Sequence, residues 1–277
     1  MVGTEVKGIT PNNHKLGISG FQVKWKRSAA ELIPKSACAS DFFEEGSRRF
    51  LSIMTMILAH RANLAGPHSA VENSPEACAR ALAEGFGLET DLRRDATGAF
   101  YISHDASPRS AENRLERFTE LFGRHPAAEL AINVKELGYE RALIDLMKSG
   151  ALGGRSFYFD FELLEPGTPG AAQRKIKSLP NGGGVRLAAR LSDRNEPLAQ
   201  CLGIPAEIVW ADEFDSLWLT EKEARAVKEA GRLLHVISPE LHGFDRETMK
   251  RRWRDFKAWD VDGVCTDYAL EARDFFG

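Results

Sequence analysis

The stretch from Thr55 to Asp105 constrains the fold most, because each apolar run in it ends on polar, chemically able side chains. Thr55–Ala59 reads as a buried strand that stops at His60-Arg61. Glu72-Asn73-Ser74-Pro75-Glu76 follows, with Ser74 as N-cap and Pro75 at the first helical position, then a helical pattern from Ala77 to Glu84 closed by Gly85. A second strand, Leu88–Leu92, carries Glu89-Thr90-Asp91, and a segment from Ala99 to Ser103 delivers His104-Asp105. Residues two apart on a strand share a face, so Glu89 and Asp91 present paired carboxylates while Thr90 faces away. Hard oxygen ligands on a rigid strand suit Mg²⁺ or Ca²⁺. A lone pair of strand acids is more often solvated; the two histidines ending neighbouring segments favour a metal-assisted phosphoryl-transfer site.

The same alternation continues to the end of the chain. Further strands are expected at Leu130–Val134, Phe157–Phe161, Val185–Ala189, Ile208–Ala211, Leu233–Ile237 and Gly263–Thr266. Helical patterns at Asn113–Phe122, Tyr139–Met147, Glu221–Ala230 (capped by Thr220) and Arg246–Trp259 fall between them. Between Glu165 and Asn181, Pro166, Gly167, Pro169 and Gly170 break any helix before Ala171. Eight strands alternating with helices argue for a (β/α)8 barrel over a doubly wound sheet. In such a barrel chemistry sits at the carboxyl ends of strands. His60, Glu89, Asp91, Asn133, Lys135, Asp160, Arg190, Asp212 and Ser238 all fall at such ends, and His104 close by.

His60-Arg61, Glu72-Asn73, Glu89-x-Asp91 and His104-Asp105, in this order, resemble the H-R, E-N, E-x-D and H-D signature that glycerophosphodiester phosphodiesterases carry on the first strands of a TIM barrel. The pattern is more distantly similar to phosphatidylinositol phospholipases C and sphingomyelinase-D-type phospholipases. Val261-Asp262-Gly263-Val264-Cys265-Thr266-Asp267-Tyr268 is similar to the family's last strand, so the resemblance spans Met54 to Tyr268. It implies a metal-dependent phosphoric diester hydrolase of lipid metabolism acting on a small phosphodiester, with Mg²⁺ or Ca²⁺ on Glu89, Asp91 and Asn133. His60 and His104 become the acid–base pair, because imidazole titrates near neutrality, and Asp105 orients His104. Lys135 and Arg61 face the phosphate, and Glu72 holds Arg61 or a metal-bound water.

Three departures qualify the expectation. Asn133 stands where the family has an acid two residues before the lysine, giving one less negative charge, and Asp160 is the candidate to supply the missing carboxylate. Only one helix fits between His104 and the next strand, where the family inserts a small subdomain, so the mouth should be more open and the alcohol need not be glycerol. The segment His235–Gly243 lacks the usual tryptophan and asparagine; Glu240 and His242 are candidates to line the pocket, and Arg190 to make a second anion contact. His14, His68 and His125 have no partner pattern.

A net charge of −3 gives no electrostatic case for nucleic acid or an anionic membrane. No run of about twenty apolar residues suggests a spanning helix, and Met1–Lys15 lacks the apolar core of a secretory signal. Cys38, Cys78, Cys201 and Cys265 are scattered without C-x-x-C, as expected of reduced thiols in a cytoplasmic protein. Residues 1–50 are polar and irregular, with hints of helix at Arg27–Ile33 and Asp41–Phe50, and read as an extension preceding a barrel domain at 51–277. The rival reading is a degenerate barrel that binds a phosphorylated sugar or lipid headgroup without cleaving it. A sugar isomerase or aldolase on the same barrel rests on fold alone.

Overall fold

The computed structural model describes residues 55–68 and 70–277; the expected extension at 1–50, with His14 and Cys38, lies outside them. Among the described residues there are nine strands, with a helix following each except β2: β1 Met56–His60, β2 Gly87–Arg94, β3 Phe100–Ile102, β4 Glu129–Val134, β5 Arg155–Phe159, β6 Ala188–Ser192, β7 Ile208–Asp212, β8 Leu233–Ile237 and β9 Gly263–Thr266. Eight run parallel in the order β5-β4-β2-β1-β9-β8-β7-β6, and β3 folds back antiparallel on β2. The sheet closes between β5 and β6 through a single parallel bridge, Tyr158 to Leu187. This is a (β/α)8 barrel with one loosely laddered seam.

Alternation along each strand sorts residues into two cores. Leu58, Ala131, Phe157, Ala188, Ile208 and Cys265 point inward and fill the barrel. Ala59, Leu88, Leu92, Ile132, Tyr158, Val209 and Val264 point outward under the helices. Because the period is two, the inward set continues past Leu58 to His60, past Ala131 to Asn133, past Ala188 to Arg190 and past Cys265 to Asp267. The helices start where the sequence offers caps: Ser74 Oγ accepts from Ala77 N at 3.1 Å, and Thr220 forms a capping box with Glu223.

Two expected strands move. β5 stops at Phe159, because Asp160 takes a left-handed conformation (φ 71°) and Phe161–Leu164 turns into a short helix. β6 begins at Ala188, three residues later than its sequence suggests, because its ladder to β7 starts at Ala188 opposite Ile208. Between His104 and β4 the helix Leu115–Gly123 stands alone. Cys78, Cys201 and Cys265 are free and buried. Among the described residues no helix is long and apolar enough to cross a membrane.

Candidate active site

β1 ends the barrel's first wall at His60, and the chain then turns sharply: Arg61 and Ala62 both have positive φ, 48° and 66°. Non-glycine residues hold that conformation at a cost of roughly 1–3 kcal/mol, and only where surrounding contacts enforce it. The contacts are visible. Arg61 N–H donates to Glu89 Oε2 at 3.2 Å, and Arg61 Nη1 donates to Glu72 Oε2 at 3.1 Å. Glu72 therefore holds Arg61, with Asn63 donating to its other oxygen at 3.2 Å.

His60 Nδ1 lies 2.7 Å from Asp267 Oδ1, while Nε2 lies 3.9 Å from Glu89 Oε2. Burial alone would lower the His60 value; the Asp267 hydrogen bond and the Glu89 charge outweigh it and hold the imidazole above its usual value. The order of strands explains the meeting, since β1 lies between β2 and β9.

Glu89 and Asp91 share the inner face of β2, and both are buried. Burial, then the neighbouring Asp91 charge, pushes the Glu89 carboxyl up to about 7. Asp91 goes the other way: burial opposes it, but Lys135 Nζ at 2.8 Å and Arg61 outweigh that and keep it below the usual carboxylate range. Asn73 also fixes it. This side chain accepts from Thr90 Oγ1 at 2.7 Å and donates to Asp91 Oδ2 at 2.7 Å. Asn133 sits opposite Asp91 in the ladder. Its amide nitrogen donates to Asp160 at 2.8 Å, and its Oδ1 is buried without a partner.

His60, Arg61, Glu89, Asp91, Asn133 and Lys135 face one cavity of about 240 Å³ that also takes in His104, Asp160, Arg190 and His242, whereas Glu72, Asn73 and Asp267 do not line it. His104 stands at its outer edge, 43% exposed, with Nδ1 2.8 Å from Asp105 Oδ1. A second, larger groove of about 700 Å³ shares Arg61 and His104 with it and takes in Glu72 and Asn73. Arg190 is fully buried, its guanidinium shared among Asp160, Glu196 at 3.1 Å and Asp212 at 2.9 Å. It enters the cavity as the hub of three carboxylates, and Asp160 is committed to it and to Asn133. His242 reaches the cavity and pairs through Nε2 with Asp212. Glu240 does not line it. It lies behind, accepting from Ser238, Thr266 and the backbone of Asp267 at 3.2 Å, and so supports the residue that holds His60.

Sequence reasoning did not single out Asp267, Asn73 or Glu196. Asp267 was signalled by its place at the end of the last strand on the inward register. Asn73 stood beside Glu72 in the motif, while Glu196 lies in a loop and carries no local signal.

An eight-stranded barrel whose carboxyl-end rim gathers three histidines, paired carboxylates and three cationic side chains is the class of structure that fold and site describe. Among solved structures the fold is similar to a provisionally named glycerophosphodiester phosphodiesterase from Galdieria sulphuraria, at 19% identity over 81% of this chain and 98% of the other, with a TM-score of 0.61. A glycerophosphoryl diester phosphodiesterase from Parabacteroides distasonis is 14% identical over 81% of this chain and 87% of the other, with a TM-score of 0.59. A glycerophosphodiester phosphodiesterase from Thermotoga maritima is 17% identical over 79% and 97%, with a TM-score of 0.52. No family model and no curated protein sequence matches the chain. The chain thus has a glycerophosphodiester-phosphodiesterase-like TIM-barrel fold.

Proposed function

We propose that the protein is a divalent-metal-dependent phosphodiester hydrolase of the glycerophosphodiester phosphodiesterase type, with His60 and His104 as its acid–base pair. The observation that carries the reading is the convergence of His60, His104, Glu89, Asp91, Lys135 and Arg61 on one cavity.

The donors fit a hard cation. Glu89 and Asp91 offer carboxylate oxygens from one strand face, and a cation would relieve the burial and like charge that raise Glu89. Asn133 Oδ1 is an orphaned buried acceptor beside them. Among the described residues no three acidic, histidine or cysteine side chains gather as a ligand set, and the third donor in this proposal is the Asn133 amide oxygen. When bound, Mg²⁺ or Ca²⁺ supplies Lewis-acid polarisation of the phosphoryl oxygens.

The chain's own residues account for the rest. Lys135 and Arg61 place positive charge where the phosphate's negative charge develops. His60, its Nδ1 held by Asp267, directs Nε2 into the cavity to move one proton; His104 at the outer edge moves the other. One removes a proton from the attacking oxygen, of water or of a neighbouring substrate hydroxyl, and the other protonates the departing alkoxide.

A panel of phosphodiesters assayed with and without EDTA tests the activity. On an alkyl diester, His60→Ala and His104→Ala should each lose on the order of 10²–10⁴ in rate. A nitrophenyl ester, whose leaving group needs little protonation, should rescue the variant lacking the acid and not the one lacking the base. Full activity in both variants would sink the acid–base assignment. A wild-type protein that binds the diesters and turns none over would favour the rival binding barrel, which the amide at Asn133 motivates.

A further inference from the structure

The cavity is divided by strand. β1, β2 and β4 bring its charged side, from His60 to Lys135, whereas β5, β7, β8 and the loops after them bring Phe159, Leu163, Trp210, Phe214, Ile237 and Leu241. The rings there are packed together: Phe159 and Trp210 have centroids 4.3 Å apart, and Phe214 lies 4.5 Å from the His242 ring.

The polar groups on this second side are already occupied with one another. Arg190 is divided among Asp160, Glu196 and Asp212. The other oxygen of Asp212 meets His242 Nε2, and the other oxygen of Asp160 accepts from Asn133 Nδ2. The Phe214 ring carries the guanidinium groups of Arg190 at 5.0 Å and Arg194 at 4.2 Å. A polyol entering here would shed water and find few open partners. An apolar group would lose no hydrogen bond and would cover apolar surface.

We propose that the ester arm lying over β5, β7 and β8 is a small apolar or aromatic alcohol and not a polyol such as glycerol. The inference rests on the phosphodiesterase reading for the phosphate beside it. The cavity volume bounds the size of the arm. At about 240 Å³ the cavity is smaller than the roughly 300–1,000 Å³ of pockets for drug-sized ligands. It accommodates a phosphate with one ring or a short chain. Leu163, 49% exposed, carries the apolar wall out to the rim.

Two phosphate monoesters isolate the arm, because they share the phosphate and differ only in the alcohol: benzyl phosphate and glycerol 3-phosphate. Calorimetric titration of the full-length protein, in the presence of Mg²⁺, should give benzyl phosphate an affinity at least ~10-fold higher, within reach of burying a few methylene equivalents. Phe214→Ala should narrow that ratio. Leu163→Ser, a change at a side chain 49% exposed, should narrow it too, so a misfolded Phe214 variant would not end the test. Equal affinities, tighter glycerol phosphate, or no binding of benzyl phosphate would overturn the apolar arm. Preferential binding of benzyl phosphate by a protein that hydrolyses no diester would keep the arm and remove the activity.

Discussion

Two buried aspartates are tied into the candidate site by close partners. Asp91 is held by Lys135, Arg61 and Asn73 and so stays ionised despite burial. Asp267 fixes the His60 ring and raises its value above 6.5 against the effect of burial. Replacing Asp267 by Asn removes both the charge and the strong acceptor, so the His60 value should fall. The limb of the kcat/KM–pH profile set by His60 should move to lower pH, the acid limb if His60 is the base and the basic limb if it is the acid. The profile of Asp267→Asn against wild type is the measurement, and two unmoved limbs would show that His60 does not titrate in the reaction. At this scale the sequence was informative for residues that sit in strand-end motifs. Where a side chain acts through a partner distant in the chain, as Asp267 does across 207 residues, pairing depends on strand order, which periodicity does not encode.

At the scale of elements the barrel is uneven. β2 and β4 share a long ladder from Leu88 to Leu92, whereas β5 and β6 meet through one bridge. Side chains fill the deficit on the β6 edge: Glu162 accepts from Arg190 N at 3.3 Å and from Gln173 Nε2 at 2.7 Å, and Gln173 also donates to Ala188 O at 3.4 Å. The existence and positions of the eight parallel strands were legible because apolar runs of strand length alternate with helical faces. The edges of β5 and β6 were not, since a left-handed Asp160 and a seam laced by side chains leave no periodic trace. Gly263 shows a second local rule. It opposes His235 in the β8–β9 ladder, and a Cβ there would stand 1.8 Å from His235 Cδ2. The ring is stacked on Phe157 and has little room to retreat. Gly263→Ala should therefore destabilise the barrel by about 1–3 kcal/mol, the usual cost of overpacking. Chemical denaturation reads this directly, and unchanged stability would mean that β8 and β9 can separate without penalty.

Across the whole molecule the two ends of the barrel carry different electrostatics. At the mouth, opposite charges are paired around a cavity open to solvent. At the other end His235 is sealed in, 1% exposed, with Nδ1 lacking a partner and Nε2 3.8 Å from Glu129, which Arg155 and Arg186 also hold. Burial drives its value down to about 4; Glu129 opposes this, and the two arginines add to it. In the unfolded chain the same imidazole takes a proton near 6.5. Between these values the unfolded state binds more protons than the folded one, so the His235 contribution to stability falls as pH drops from about 6.5 to about 4 and changes no further below that. The span corresponds to about 3 kcal/mol. Glu89 and Glu162, both raised to about 7 by burial, act in the opposite direction over much of the same range, so the wild-type curve alone mixes the effects. A difference separates them. His235→Leu keeps both glutamates and removes only the imidazole, so the stability of the variant relative to wild type should rise by about 3 kcal/mol between pH 7 and pH 4. Urea unfolding of the two proteins at several pH values gives that difference, and a flat line would show that His235 takes up its proton in the fold at the same pH as in the unfolded chain.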